Sequence, residues 1–260
     1  MNKFAVAVGA LAVLAAMPVH AILIDSAGDT GILNGTVGGN AIVIGVNGGI
    51  LQGVGNSKTF LTIQGAATER GYNTSGVTEF ATTPSGTTPL LLTEMPAAMN
   101  GGVKYLEFAY SLNQEGGDPH INVSRILVFQ TGNPSLTGFV DGVTPNIGAN
   151  TNLIFAWSQA VSGQTLDVLD FVSGQSNTEL LLLVRATDFD PSLPNVVLYV
   201  EQTNSNDGPD KWVVFGASAC VDVGDCTPVV PEPATTALIG LGLLGMGWLR
   251  KKGGHYGKSA

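Results

Sequence analysis

Charge is scarce in this chain, and basic charge scarcest of all. Only 12% of its 260 residues are Asp, Glu, Lys or Arg, with 11 basic side chains against 20 acidic. Five of the basic residues (Lys3, Arg250, Lys251, Lys252 and Lys258) lie near the two ends, so residues 22–230 hold 19 acidic side chains and 6 basic ones. A body so negative repels phosphate backbones and anionic lipid, which excludes nucleic acid as a partner. Histidine is equally thin: between residues 22 and 230 it occurs once, as His120. A hydrolase triad would need His120 as its base, with Ser124 and Asp118 as companions, and no G-x-S-x-G elbow is present. His120 therefore reads as an exposed loop residue. No spacing singles out a carboxylate pair for glycoside hydrolysis, and no EF-hand or glycine-rich nonapeptide occurs. The nearest approach to a phosphate loop, Gly53 to Thr59, has Gln52 and Ser57 where glycines are required, and reads as a β-turn region. These absences leave no catalytic residue to nominate.

What the chain does have is a distinctive pair of ends. Met1 to Ala21 carries Lys3, an apolar stretch from Phe4 to Met17, and Val19-His20-Ala21. That is the layout of a secretory signal peptide for the Sec export machinery, with cleavage by signal peptidase between Ala21 and Ile22. At the other end, Val230-Pro231-Glu232-Pro233 precedes an uncharged run of 16 residues, Ala234 to Leu249, and then Arg250-Lys251-Lys252. The prolines hold the chain extended and withhold backbone donors. A helix of that length reaches ~24 Å, short of a hydrocarbon core of roughly 30 Å. A single short transmembrane helix is still expected, with Trp248 at the interface and the basic cluster facing the cytoplasm.

Pro-Glu-Pro, a short Gly/Leu-rich helix and a basic cluster in that order resemble the PEP-CTERM sorting signal of Gram-negative bacterial surface proteins. The resemblance covers residues 230–252. It implies recognition by an exosortase, a membrane-embedded cysteine protease, at Val230, Pro231, Glu232, Pro233, Arg250, Lys251 and Lys252. It also implies an inner-membrane precursor that is later delivered to the cell surface or extracellular matrix. The tail Gly253 to Ala260 extends beyond the basic cluster, where such chains usually stop.

Two cysteines exist, Cys220 and Cys226. In an oxidising compartment they are expected to pair as a local disulfide, clasping a linker over 220–229 and stabilising by about 2 to 2.5 kcal/mol through loop closure.

The body reads as all-β. Residues 22–100 are rich in glycine and threonine, with a strand around Ile42, Ile44 and Val46 and a polar loop between Gly65 and Asn100. Residues 101–219 are clearer. Leu106, Phe108, Tyr110 and Leu112 alternate with Tyr105, Glu107, Ala109 and Ser111, and Val123, Arg125, Leu127 and Phe129 interleave with Ser124, Ile126, Val128 and Gln130. Further short runs follow at 152–157, 166–171, 179–186, 196–203 and 212–216, each bounded by Gly, Pro, Asn or Asp. Seven or more such strands predict an antiparallel β-sandwich or jelly roll. Arg125 and Arg185, inside apolar strands, are expected on a wet face or beside a carboxylate. Lys104 to Phe108, Leu166 to Phe171 and Asn206 to Val214 also resemble a β-domain common among PEP-CTERM proteins, with Pro209 and Lys211 departing from it. That family implies no catalytic residue.

The acidic loops are candidate calcium ligands, namely Asp188 and Asp190, then Asp207 and Asp210, set against the reading of plain solvated acids. The expected function is that of an exported, non-enzymatic surface or matrix protein associated with extracellular polysaccharide or biofilm. The alternatives are a carbohydrate-binding module stacking sugars on Trp157, Trp212 or Tyr199, and an extracellular hydrolase.

Overall fold

Alternating apolar and polar residues between turn formers give strands, and strands with one greasy face must pair and cover it. The computed structural model describes residues 21–46, 57–65, 67–75, 80, 86–114, 119–142, 145–170, 178–206 and 208–216. Within them lie β1 (Ala21–Ile24), β2 (Thr30–Asn34), β3 (Asn40–Gly45), β4 (Ser57–Ile63), β5 (Ala67–Tyr72), β6 (Leu90–Leu91), β7 (Ala97–Asn100) and β8 (Val103–Ser111). The second half adds β9 (His120–Thr131), β10 (Phe139–Val140), β11 (Asn146–Ile147), β12 (Thr151–Ser158), β13 (Thr165–Leu169), β14 (Leu180–Arg185), β15 (Asn195–Ser205) and β16 (Asp210–Phe215). The only α-helix among the described residues is α1 (Gln159–Ser162), a single turn closed by Gly163 at φ 67°. No helix among the described residues is long and apolar enough to cross a membrane. All of the expected signal peptide except Ala21, the Cys220–Cys226 pair, the apolar run and the basic cluster lie outside them.

Two sheets carry the fold. One runs β1-β13-β9-β15-β5, with β12 also on β9 and β6 on β15; the other runs β2-β3-β14-β8-β16-β4, with β7 on β8. Strands from both sides of residue 100 therefore share each sheet. The pairing is antiparallel with one departure from expectation: β1 lies parallel to β13, Ile22 opposite Leu166 and Ile24 opposite Val168. Parallel neighbours need a long crossover, and the stretch between these two strands supplies it many times over. Phe60, Phe108, Tyr110 and Trp212 of one sheet meet Ile126, Val128, Phe155, Trp157 and Leu198 of the other in a single buried cluster.

Two readings of the sequence change here. Simple alternation along β9 would put Val123, Arg125, Leu127 and Phe129 on one face. The β9–β15 register instead shifts between Glu201 and Gln202. The shift sends Val123, Ile126 and Val128 into the main core, while Leu127 and Phe129 face outward. A bulge inserts one residue and inverts every side chain beyond it. There Leu127 and Phe129 pack under Tyr72, Leu136, Ile147 and Tyr199, a separate apolar cluster on the outer surface. The stretch read as a loop between Gly65 and Asn100 holds β5, paired along β15 from Thr68 to Tyr72. Its inward positions are Glu69, Gly71 and Asn73, which carry no apolar signal.

Buried side-chain amides tie the strands where backbone pairing stops. Gln164 accepts from the Asn34 amide (2.8 Å) and Trp157 Nε1 (3.2 Å) and donates to the Ile32 carbonyl (2.8 Å), linking β2 of one sheet to β12 of the other. Asn73, just past β5, accepts from the Leu198 amide (2.7 Å) and donates to the Val196 carbonyl (3.0 Å). Gln130 accepts from the Asp190 amide (2.7 Å) and donates to the carbonyls of Asp190 and Leu193, holding that turn. Gly38, at φ 74°, lets the β2–β3 turn lie against β12; a Cβ there would stand 2.0 Å from the Ile154 carbonyl oxygen.

One end of the sandwich interior is polar. Gln202 donates to Glu69 (2.9 Å) and Asp210 (2.7 Å) and accepts from Tyr110 Oη (2.6 Å). Tyr110 stacks on Trp212 at 4.4 Å. Asp210 also accepts from the Asn113 amide (2.9 Å), and Glu69 from the Gly65 amide. Nearby Glu179 takes the Leu112 amide on Oε2 (2.8 Å), while its Oε1 is buried without a hydrogen bond. Glu69, Glu179 and Asp210 are all 0% exposed, and no basic side chain pairs with them among the described residues. Burial drives the Glu179 carboxyl from 4.5 up to about 8, helped by the charges of Asp170 and Asp210, and burial likewise raises Asp210.

Two outcomes test this interior. Gln164→Ala strands three polar groups and should cost about 2–4 kcal/mol in urea unfolding, with the slope of the transition unchanged. Between pH 4.5 and about 8 the folded state keeps the Glu179 proton that the unfolded chain releases. Stability should therefore be highest at the acid end, fall as pH rises through that window by up to ~1.4 kcal/mol per unit, and level off above it. Glu179→Gln should flatten the decline, as read from melting temperature against pH.

Candidate functional site

The residues singled out in the sequence do not gather into one site. His120 opens β9 and its Nδ1 lies 3.2 Å from Asp167 of β13, both side chains more than a third exposed. Ser124 is occupied elsewhere, donating to the Glu201 carbonyl at 3.1 Å, and Asp118 falls outside the described residues. Among the described residues, the carboxylate beside His120 is Asp167, which comes from another strand.

The calcium candidates also separate. Asp188 ends a one-turn 3-10 segment, Ala186–Asp188, and Asp190 Oδ1 accepts from the Ser192 amide at 2.8 Å, a contact that lowers its carboxyl. Asp210 does not sit in a loop with them. It opens β16, points inward, and spends its oxygens on Asn113, Gln114 and Gln202. Asp207 lies outside the described residues. Among those described, no three His, Cys, Asp or Glu side chains form a group able to hold a metal ion.

The proposed sugar-stacking aromatics are interior. Trp157 is 1% exposed, and Trp212 and Tyr199 are 0%. Trp157 and Trp212 fill the core between the sheets, and Tyr199 is covered by Phe139, stacked on it at 4.3 Å. A ring with both faces packed offers no platform to a sugar.

The structure does build a polar groove that the sequence reading did not nominate, on the outer face of the β9 sheet. Register places Arg70 of β5 opposite Glu201 of β15, Glu201 opposite Arg125 of β9, and Arg125 opposite Ser158 of β12. Arg125 donates to Asp141 at 2.7 Å, and its guanidinium carbon lies 5.9 and 5.8 Å from the ring centres of Phe139 and Tyr199. That hydrogen bond pulls the Asp141 carboxyl below its usual range. Tyr199 Oη donates to Glu201 Oε2 at 3.1 Å. Helix α1 forms one wall, and the hollow between encloses about 560 Å³, lined by Ser124, Arg125, Asp141, Ser158, Gln159 and Glu201. Arg125 in an apolar run was the one sequence sign of it. A second, larger hollow of about 690 Å³ opens between β1 and β2, floored by Ile22, Ile32 and Ile42 and edged by Asn34, Asn40 and Gln164.

The two ends frame this body. The cleavage expected after Ala21 falls at the first bond of β1, where Ile24 is buried and Leu23 is 48% exposed. The Val230-to-Lys252 signal lies beyond the described residues. Since His120 and Asp167 form an exposed, salt-screened pair, His120→Ala should cost less than about 1 kcal/mol in thermal or urea unfolding. No curated protein and no solved structure matches the chain. Residues 229–251, however, match the PEP-CTERM protein-sorting motif, starting and ending one residue before the limits read from the proline pair and the basic cluster. The motif implies export as a membrane-anchored precursor and exosortase processing, and it identifies the chain as a PEP-CTERM sorting domain-containing protein.

Proposed function

We propose that this is a non-enzymatic surface or extracellular-matrix protein, delivered by exosortase processing and retained among extracellular polysaccharide in a biofilm. The observation that carries the reading is the sorting motif at 229–251. The body is consistent with that destination. It is acidic, so it does not adhere to anionic membrane after release. Its core is a two-sheet sandwich with buried carboxyls sealed from solvent.

Chemistry supports a binding role over a hydrolytic one. In the polar groove Asp141 is pinned by Arg125 and held ionised, whereas hydrolysis of a glycosidic bond needs a carboxyl raised enough to donate a proton. The carboxyls that are raised, Glu179 and Asp210, are sealed inside, where no substrate reaches them. Between Phe215, the end of β16, and Pro231 run 15 residues, a tether of at most ~50 Å when fully extended. That length allows the folded body to stand clear of the bilayer while the motif is presented at its surface.

The test is to express the full chain with and without a partner exosortase and to weigh the mature C-terminus by intact mass. With the protease, the product should end beside Pro231-Glu232-Pro233 and appear outside the cell; without it, the tail through Ala260 should remain. Replacing Pro231 and Pro233 by alanine should block the cut. An intact tail under both conditions overturns the reading.

A further inference from the structure

We propose that the groove against α1 is a saccharide-binding site, taking one or two uncharged sugar rings of a polysaccharide chain. The inference rests on the extracellular, non-enzymatic reading above and names the ligand class and the residues that meet it.

Charge decides first. Arg125 is neutralised by Asp141 at 2.7 Å, and Glu201 stands between Arg125 on one neighbouring strand and Arg70 on the other, so two guanidiniums balance two carboxylates. A groove without net charge gives phosphate, sulfate and uronate groups no attraction. It also lacks the cluster of carboxylates that a divalent metal demands. What remains well matched is a neutral ligand with many hydroxyls, each both donor and acceptor.

The lining supplies the counterparts. Glu201 gives one oxygen to Tyr199 and keeps the other as an acceptor for sugar hydroxyls. Gln159 and Ser158, at the start of α1, add an amide and a hydroxyl that can donate or accept. Arg125 offers its remaining N–H groups. Its side chain is only 16% exposed and is fixed by Asp141 and by the faces of Phe139 and Tyr199, so little freedom is lost when a ligand binds. Val161, 71% exposed on the rim, gives the apolar edge that the C–H face of a pyranose covers. A volume of about 560 Å³, open to solvent along the sheet, admits part of a chain whose ends continue outside.

The rival hollow between β1 and β2 has amides and an isoleucine floor but no charged acceptor, which makes it the control. The experiment uses the mature exported protein in saturation-transfer NMR and calorimetry. The probes are maltotetraose, cellotetraose and mannotetraose, with an oligogalacturonate and tetralysine as the anionic and cationic arms. At least one neutral oligosaccharide should bind. Glu201→Gln and Gln159→Ala should each weaken it about tenfold, the effect of one lost charged or amide hydrogen bond. Val161→Asp, at a side chain too exposed to affect folding, should weaken it as well, and Asn40→Ala in the other hollow should change nothing. Melting temperatures of all four variants should stay near the parent's. The proposal is overturned if no neutral oligosaccharide binds, if a charged probe binds in preference, if groove variants bind like the parent, or if Asn40→Ala is the variant that abolishes binding. Exosortase processing, measured on the same variants, separates the two readings: a cut and exported protein that ignores sugars refutes this site alone, and an uncut one that binds them refutes only the sorting role.

Discussion

Every backbone amide and carbonyl that a sandwich buries must find a partner, and in this protein three side-chain amides meet that requirement where regular pairing stops. Gln164, Asn73 and Gln130 each bond backbone amides and carbonyls inside the fold. A glutamine or asparagine carries both donors and an acceptor, so it can stand in for the missing residue of a neighbouring strand without adding charge. The two sheets are irregular, with short edge strands, a parallel first strand and bulges. They hold together because these amides close the ladders where regular pairing fails.

The same demand explains the acidic interior. Glu69 and Asp210 lie between the sheets with their oxygens filled by backbone amides and by Gln202 and Gln114. Gln202 donates to both and is itself fed by Tyr110, so the network runs in one direction, from phenol to amide to carboxylate. Glu179 is the member left one hydrogen bond short, and burial answers by holding its proton. A carboxyl that is neutral at neutral pH costs far less to bury than an ion.

Outside the core, one inserted residue in β9 has wide effects. Past the bulge, Leu127 and Phe129 face outward and need cover, which Leu136, Phe139 and Ile147 give. The polar side chain carried with them, Arg125, emerges at the border of that covered patch and meets Asp141 from the covering segment. The groove thus arises where an apolar outer layer stops and the sheet surface is left wet. It lies on the outer face of the sheet, while the covalent history of the protein is written at its two termini.

The sorting motif and the all-β class were legible in the residues themselves. A sorting motif is a short linear segment, so prolines, an apolar run and a basic cluster carry their meaning without any tertiary context. Strands such as β8 and β15 were equally plain, since their runs of aromatic and β-branched residues are local and their partners only confirm them. β5 was not, because its inward positions are Glu69, Gly71 and Asn73 and their reason for burial lies on β15, far along the chain. Nor could the sequence show that Trp157, Trp212 and Tyr199 were interior, or that Asp210 left its loop neighbours for the core. Which face a side chain takes depends on bulges and on the strand beside it, and only the assembled sheets decide that.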